Sequence, residues 1–161
     1  MRNRIRRVVF ISFGLGMAVG ISQASAGANL VLIVNKATAV INLSKNDLRT
    51  IYMGEKEKWP TGQKVLPVAL SSEPELKAFL KEVCDMSEAD YKKYFIQANF
   101  TGKTVILPRM GSSAAAVKAL VSSTPGAIGF IPAGDVDNSV GIVRYNGALP
   151  TDASYRLTDS H

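Results

Sequence analysis

Arg109-Met110-Gly111-Ser112-Ser113 places a guanidinium, a flexible glycine and two hydroxyls within five residues, a set suited to holding a small tetrahedral anion. Free backbone N–H groups at a helix start point toward phosphate or sulfate, and arginine meets such an ion as a bidentate donor. Ala114-Ala115-Ala116 follows, so no carboxylate competes in the first helical turn. The same atoms also make an ordinary helix cap, because Ser at an N-cap and Gly in a turn are common structural choices.

Two other stretches have related chemistry. Ser71-Ser72 stands where a strand ends and a helix begins, the place where open α/β folds put ligands, but Glu73 and Glu75 occupy the same helix start. Those carboxylates satisfy the positive helix end and repel a second anion. Thr101-Gly102-Lys103 offers a hydroxyl, a flexible backbone and a cation. It is no nucleotide phosphate loop, since Gly102-Lys103-Thr104 lacks the upstream glycine. The candidate ligand-binding residues are therefore Arg109, Gly111, Ser112, Ser113, Ser71, Ser72, Thr101 and Lys103.

Catalytic and metal chemistry find little support. His161 is the single histidine and the last residue, which excludes serine–histidine, cysteine–histidine and multi-histidine arrangements within one chain. Cys84, the single cysteine, ends an apolar stripe and reads as a small buried hydrophobe; it can form no internal disulfide. No catalytic residue, metal or cofactor is expected, and the protein is not expected to be an enzyme.

The elements that must position these residues are marked by local signals. Leu30–Val34 is an unbroken aliphatic run, as in a strand buried on both faces of a parallel or mixed sheet. Ser44 and Asp47 have N-cap spacing, Leu43 can staple onto Leu48, and Leu48, Ile51 and Tyr52 form an inward stripe before a left-handed exit at Gly54. A strand is expected over 65–70, after a turn at Trp59-Pro60 and Gly62. Trp59 is read as an aromatic lid over the sheet edge or, functionally, as a wall of a ligand cleft or partner surface.

Ser72 to Glu75 and Ser87 to Asp90 repeat the capping pattern. Leu76, Phe79, Leu80 and Val83, then Tyr91, Tyr94, Phe95 and Ala98, give the inward faces of two successive helices. A short strand or extended approach is expected over 105–107. A helix from Ser112 or Ser113 follows, burying Val117, Leu120 and Val121. Thr124-Pro125-Gly126-Ala127 is a turn sequence, and strands are expected at 128–131 and at 140–143, the latter with a continuation to Tyr145. This order predicts an α/β fold, a mixed sheet flanked by helices.

Arg2, Arg4, Arg6 and Arg7 precede an apolar run over 8–21, and Ala24-Ser25-Ala26 supplies a signal-peptidase pattern. Residues 1–26 are thus expected to be a signal peptide, with an uncleaved anchor as the alternative, 27–150 a single α/β domain, and 151–161 a polar tail. Removing 26 of the 161 residues leaves 135, enough for a core without metals or disulfides. Four of the nineteen basic residues lie in the export segment, so fifteen face thirteen acidic ones, a balance of +2 that excludes an electrostatic case for nucleic acid.

NLSKNDLRTIYMGEKEKWPTG at 42–62, FTGKT at 100–104 and STPGAIGFIP at 123–132 resemble the short phosphate-transport substrate-binding-like proteins of bacteria, a branch of the periplasmic binding protein superfamily. The resemblance covers nearly all of 30–132. It implies one lobe of a type II periplasmic binding protein, where full-length members close two α/β lobes around the ion and deliver it to a membrane transporter. In that family the strand similar to 65–70 is followed by an arginine and a Ser-Gly-Thr loop. Here the stretch is VALSSEPELKAF, in which Ser71 or Ser72 retains a hydroxyl while the arginine and the Gly-Thr pair are absent.

The expected function is that of an exported, noncatalytic binding protein for phosphate or a similar small oxyanion, linked to phosphate transport or sensing. The expected location is the periplasm. Arg109 and Lys103 would supply charge, and Ser112, Ser113 and Gly111 a donor ring. Expected partners are the anion and a membrane transporter or periplasmic protein, and a homodimer facing two clefts together is the arrangement that would restore two-sided desolvation of the ion. The alternative is an exported protein-interaction domain with a degenerate ligand site, in which Trp59 and its surroundings matter more than Arg109.

Overall fold

The computed structural model describes residues 29–157, with the side chain of Glu73 left aside. The expected export segment and His161 lie outside the described residues. Strand β1 is Leu30–Val34, followed by β2 (Asn42–Leu43), α1 (Lys45–Tyr52) and β3 (Leu66–Leu70). Then come α2 (Glu73–Phe79), a π-helical turn (Leu80–Cys84), α3 (Glu88–Phe100), β4 (Arg109–Gly111) and α4 (Ala114–Ser123). Strand β5 (Ala127–Pro132), a 3₁₀ turn (Ala133–Asp135), β6 (Gly141–Ile142) and β7 (Arg144–Tyr145) complete the chain.

The main sheet runs β4-β3-β5-β1-β6. Strands β4, β3 and β5 are parallel, whereas β1 is antiparallel to both β5 and β6, so the sheet is mixed as expected. Strands β2 and β7 form a separate parallel pair. Helix α4 covers one face, with Val117 and Val121 against Gly129 of β5. On the other face Phe130 stacks on Phe79 with ring centroids 3.9 Å apart, and Tyr52 packs edge-on to Phe79 at 4.6 Å. Cover on both faces explains why every residue of β1 is buried and why the strand reads as a continuous aliphatic run.

Local chemistry fixes the helix starts. Ser44 and Asp47 form a complete capping box at α1, and Gly54 makes the left-handed exit at φ +72°. Ser87 caps α3 by accepting from Asp90 N at 3.1 Å, and Ser113 caps α4 by accepting from Ala116 N at 3.1 Å. The expected box at α2 does not form: Ser72 is the N-cap but makes no side-chain cap bond, and Glu75 Oε2 is buried without a partner. Pro74 supplies no N–H there, so only the Glu75 amide could take such a bond.

Of the two readings of 105–107, the extended approach holds: the chain there has no ladder pairing, Ile106 N donates to Gly54 O at 3.0 Å, and the strand lies at Arg109–Gly111. Three further expectations are corrected. The single strand expected from 140 to Tyr145 is split between two sheets, because Val143 N bonds Leu32 O and Arg144 N bonds Ile41 O. The segment after Pro150 is no loose tail as far as it is described: Tyr155 and Leu157 are buried, and Leu30 N donates to Leu157 O at 2.8 Å. Trp59, finally, is a core residue, 3% exposed, with Nε1 donating to Gly126 O at 2.9 Å.

Candidate functional site

Strands β3 and β4 run parallel with Leu70 beside Gly111, so both chains leave the sheet at the same edge and each leads into a helix start. This brings together Ser71, Ser72, Gly111, Ser112 and Ser113, which are apart in sequence. Ser71 ties the two strand ends by donating its backbone N–H (2.9 Å) and its hydroxyl (3.0 Å) to the Gly111 carbonyl. Gly111 is required for the close approach of α4, since a β-carbon there would stand 2.6 Å from Val117 Cγ2.

Hydrogen bonding divides the predicted residues by what they can still donate. The Ser71 proton is engaged on Gly111. Ser113 accepts from Ala116 N, which leaves its own O–H available. Ser112 is exposed, and among the described residues its side chain has no hydrogen-bond partner. Ala114 and Ala115 N–H belong to the first turn of α4 and have no intrahelical acceptor. These two amides are donors that the sequence reading did not single out, although the carboxylate-free Ala114-Ala115-Ala116 run was their signal.

Arg109 is exposed and has no ion pair among the described residues. It lies two strand residues before Gly111, about 7 Å along β4 at the usual rise. Alternation along the strand puts it on the same sheet face as Gly111, the face that α4 covers. Compact in sequence, Arg109 to Ser113 is therefore drawn out by the strand, and the guanidinium must reach along it to meet the α4 start.

Thr101 and Lys103 do not join this group. Thr101 caps the end of α3 by donating to Gln97 O (3.0 Å) and Ala98 O (3.1 Å). Lys103 Nζ binds Glu55 at 2.8 Å and the Tyr94 hydroxyl at 3.2 Å. The lysine bond is the main reason the Glu55 carboxyl titrates below its usual range, and the Lys103 ammonium is held above its own by the same contact. Cys84 is buried and desolvation pushes its thiol up to about 11, the condition of an inert core cysteine. Among the described residues no group of three acidic, histidine or cysteine side chains is placed to hold a metal.

No protein-family model matches the chain. Among solved structures, it is similar to an ABC-type phosphate transport receptor from Vibrio cholerae, with 26% identity, a TM-score of 0.55, and 78% of this chain covering 49% of that one. A phosphate ABC transporter substrate-binding protein from Clostridium perfringens, solved with bound phosphate, matches with a TM-score of 0.67 at 22% identity over 82% of this chain and 53% of its own. The fold is that of one lobe of a phosphate-binding protein.

PstS from Borrelia burgdorferi matches with a TM-score of 0.62 at 19% identity, over 78% of this chain and 50% of its own. The chain spans about half the length of these phosphate-binding structures. Their names describe receptors and substrate-binding proteins rather than enzymes. Of the residues expected at the site of such a lobe, Ser71, Ser72, Gly111, Ser112 and Ser113 share one sheet edge, Arg109 flanks them, and Thr101 and Lys103 lie apart.

Proposed function

We propose that this protein is an exported, noncatalytic binding protein for phosphate or a similar small oxyanion, acting in phosphate transport or sensing. The observation that carries the reading is the edge where β3 and β4 end side by side, with no acidic residue in the first turn of α4. The similarity to phosphate-binding structures supports it. The anion would accept from Ala114 N–H, Ala115 N–H and the hydroxyls of Ser112 and Ser113, with Ser72 at the rim. Arg109 would supply charge by reaching along β4. These groups bind and orient the ion, and no bond is made or broken.

Exposure sets the strength. Ser112 and Ser113 stand in solvent, so attraction to the ion is weakened by water and salt compared with an enclosed site. One lobe alone therefore binds weakly, and tight capture needs a second surface over the α4 start, from a transporter or a periplasmic partner.

Calorimetry of the purified protein against phosphate, sulfate and a neutral sugar tests this. Expected is weak, salt-sensitive heat with the oxyanions, none with the sugar, and loss of several-fold in affinity on Arg109→Ala. Absence of heat at millimolar phosphate, with the circular dichroism of a folded chain, refutes the reading.

A further inference from the structure

Asn146-Gly147 is the one Asn-Gly pair in the chain. Asparagine is thermolabile, and a glycine after it leaves the next backbone nitrogen unhindered. That nitrogen can give up its proton and attack Asn146 Cγ, closing a cyclic imide as the side-chain nitrogen leaves as ammonia. Water then opens the imide at one carbonyl to give aspartate, or at the other to give isoaspartate, in which the main chain runs through the side chain. One water enters and one ammonia leaves, and no other reactant is needed. Both residues are exposed, so water reaches them.

The fold holds both reacting groups elsewhere. Asn146 (φ +50°) and Gly147 (φ +86°) are the central residues of a type I′ turn, closed by Tyr145 and Ala148, whose backbones exchange hydrogen bonds of 2.9 and 3.0 Å. Gly147 N–H, the nucleophile, donates to Asn42 Oδ1 at 2.8 Å. Asn146 Oδ1 accepts from Lys45 N at 3.0 Å, and Lys45 is the first residue of α1, where the amide has no intrahelical acceptor. The proton that must leave is therefore bonded to β2, and the carboxamide that must swing over Gly147 N is pinned to α1.

We propose that Asn146-Gly147 is a deamidation site gated by the β2–β7 pair: it keeps its amide while β2 lies on β7 and reacts when that pair opens. Asparagine 42 and Lys45 are the two latches, one on each reacting group. The two products differ in consequence. Aspartate at 146 keeps an oxygen for Lys45 N, and its negative charge suits a helix start. Isoaspartate lengthens the main chain by one atom, which a two-residue turn cannot absorb, so chains carrying it no longer close β7 on β2. The inference does not depend on anion binding.

Peptide mapping by mass spectrometry, with chromatography separating aspartate from isoaspartate, reads the rate at 146 during warm incubation at mildly alkaline pH. The native protein should react about tenfold or more slowly than the same chain unfolded in urea. Asn42→Ala, exposed in β2, frees Gly147 N–H and should speed the native reaction several-fold, whereas Asn99→Ala, exposed on α3, should not. Lys45→Pro removes the other latch at a helix position that tolerates proline, and should also speed it. Circular dichroism confirms that each variant is folded, and should Asn42→Ala unfold, Lys45→Pro and the native-to-unfolded ratio decide. A native rate equal to the unfolded one overturns the proposal. So do folded latch variants that react no faster than Asn99→Ala.

Discussion

Ser71 donates twice to one acceptor, the carbonyl of Gly111, through its amide at 2.9 Å and its hydroxyl at 3.0 Å. Because the amide alone satisfies that carbonyl, Ser71→Ala removes a bond without orphaning a partner, and a loss of about 1 kcal/mol in urea unfolding is expected. Its phosphate heat should be unchanged, since the proton it loses never faced the ligand. Ser112→Ala should do the reverse, with stability within about 0.5 kcal/mol of the parent and weaker phosphate binding. Equal loss of binding in both variants would contradict this division of roles.

Gly111→Ala tests how tightly β4 and α4 are joined. The new methyl would stand 2.6 Å from Val117 Cγ2 and 3.0 Å from Val117 N, and the second neighbour is backbone that cannot rotate away. A destabilisation of about 1–3 kcal/mol is expected from urea midpoints. Adding Val117→Ala should not restore the parent stability, because the backbone contact remains and a core methyl pair is lost. Unaltered stability of the single variant would show that α4 can move off the strand freely.

Elements with local causes were readable from sequence. The Ser44–Asp47 box, the Ser87 and Ser113 caps and the turn at Gly126, φ +84°, each need only residues a few positions apart. Strand β4 was not readable: three residues long with Arg109 and Met110 exposed, it has no alternating pattern and is a strand only because β3 lies beside it. The break at Val143 is equally non-local, since Leu32 and Ile41, distant in sequence, take its successive amides. For the site, Ser71 and Gly111 were each nominated separately, but their union depends on strand order. Lys103 was misplaced because Glu55, 48 positions earlier, holds it.

The α1 cap gives a pH prediction. Asp47 Oδ2 accepts the Ser44 hydroxyl at 2.6 Å, the largest cause of its lowered pKa, and Lys56 lies 3.2 Å from Oδ1. A carboxyl depressed on folding contributes stability that is complete above its unfolded value, near 3.8, and is lost as pH falls through the lower folded value. Asp47 is 41% exposed, so solvent screening keeps the effect small. Asp47→Asn should cost about 0.5–1 kcal/mol at neutral pH, and the gap should close below the ordinary aspartate range. A gap that widened in acid would reverse the sign of this assignment.

The chain after Pro150 closes the sheet, and that can be measured by graded removal. The Tyr155 hydroxyl donates to Leu30 O at 2.8 Å, and Leu157 O accepts Leu30 N at 2.8 Å, with Leu157 1% exposed. Tyr155→Phe deletes one hydrogen bond and should cost about 1 kcal/mol. Leu157→Ala empties a core position and should cost about 2–5 kcal/mol. Truncation after Pro150 does both, uncovers Leu30 and strips the ring packed 6.2 Å from Tyr145, so it should be the most damaging of the three. This ordering, read from thermal or urea unfolding, separates a structural segment from a polar tail, for which all three variants would match the parent within about 0.5 kcal/mol.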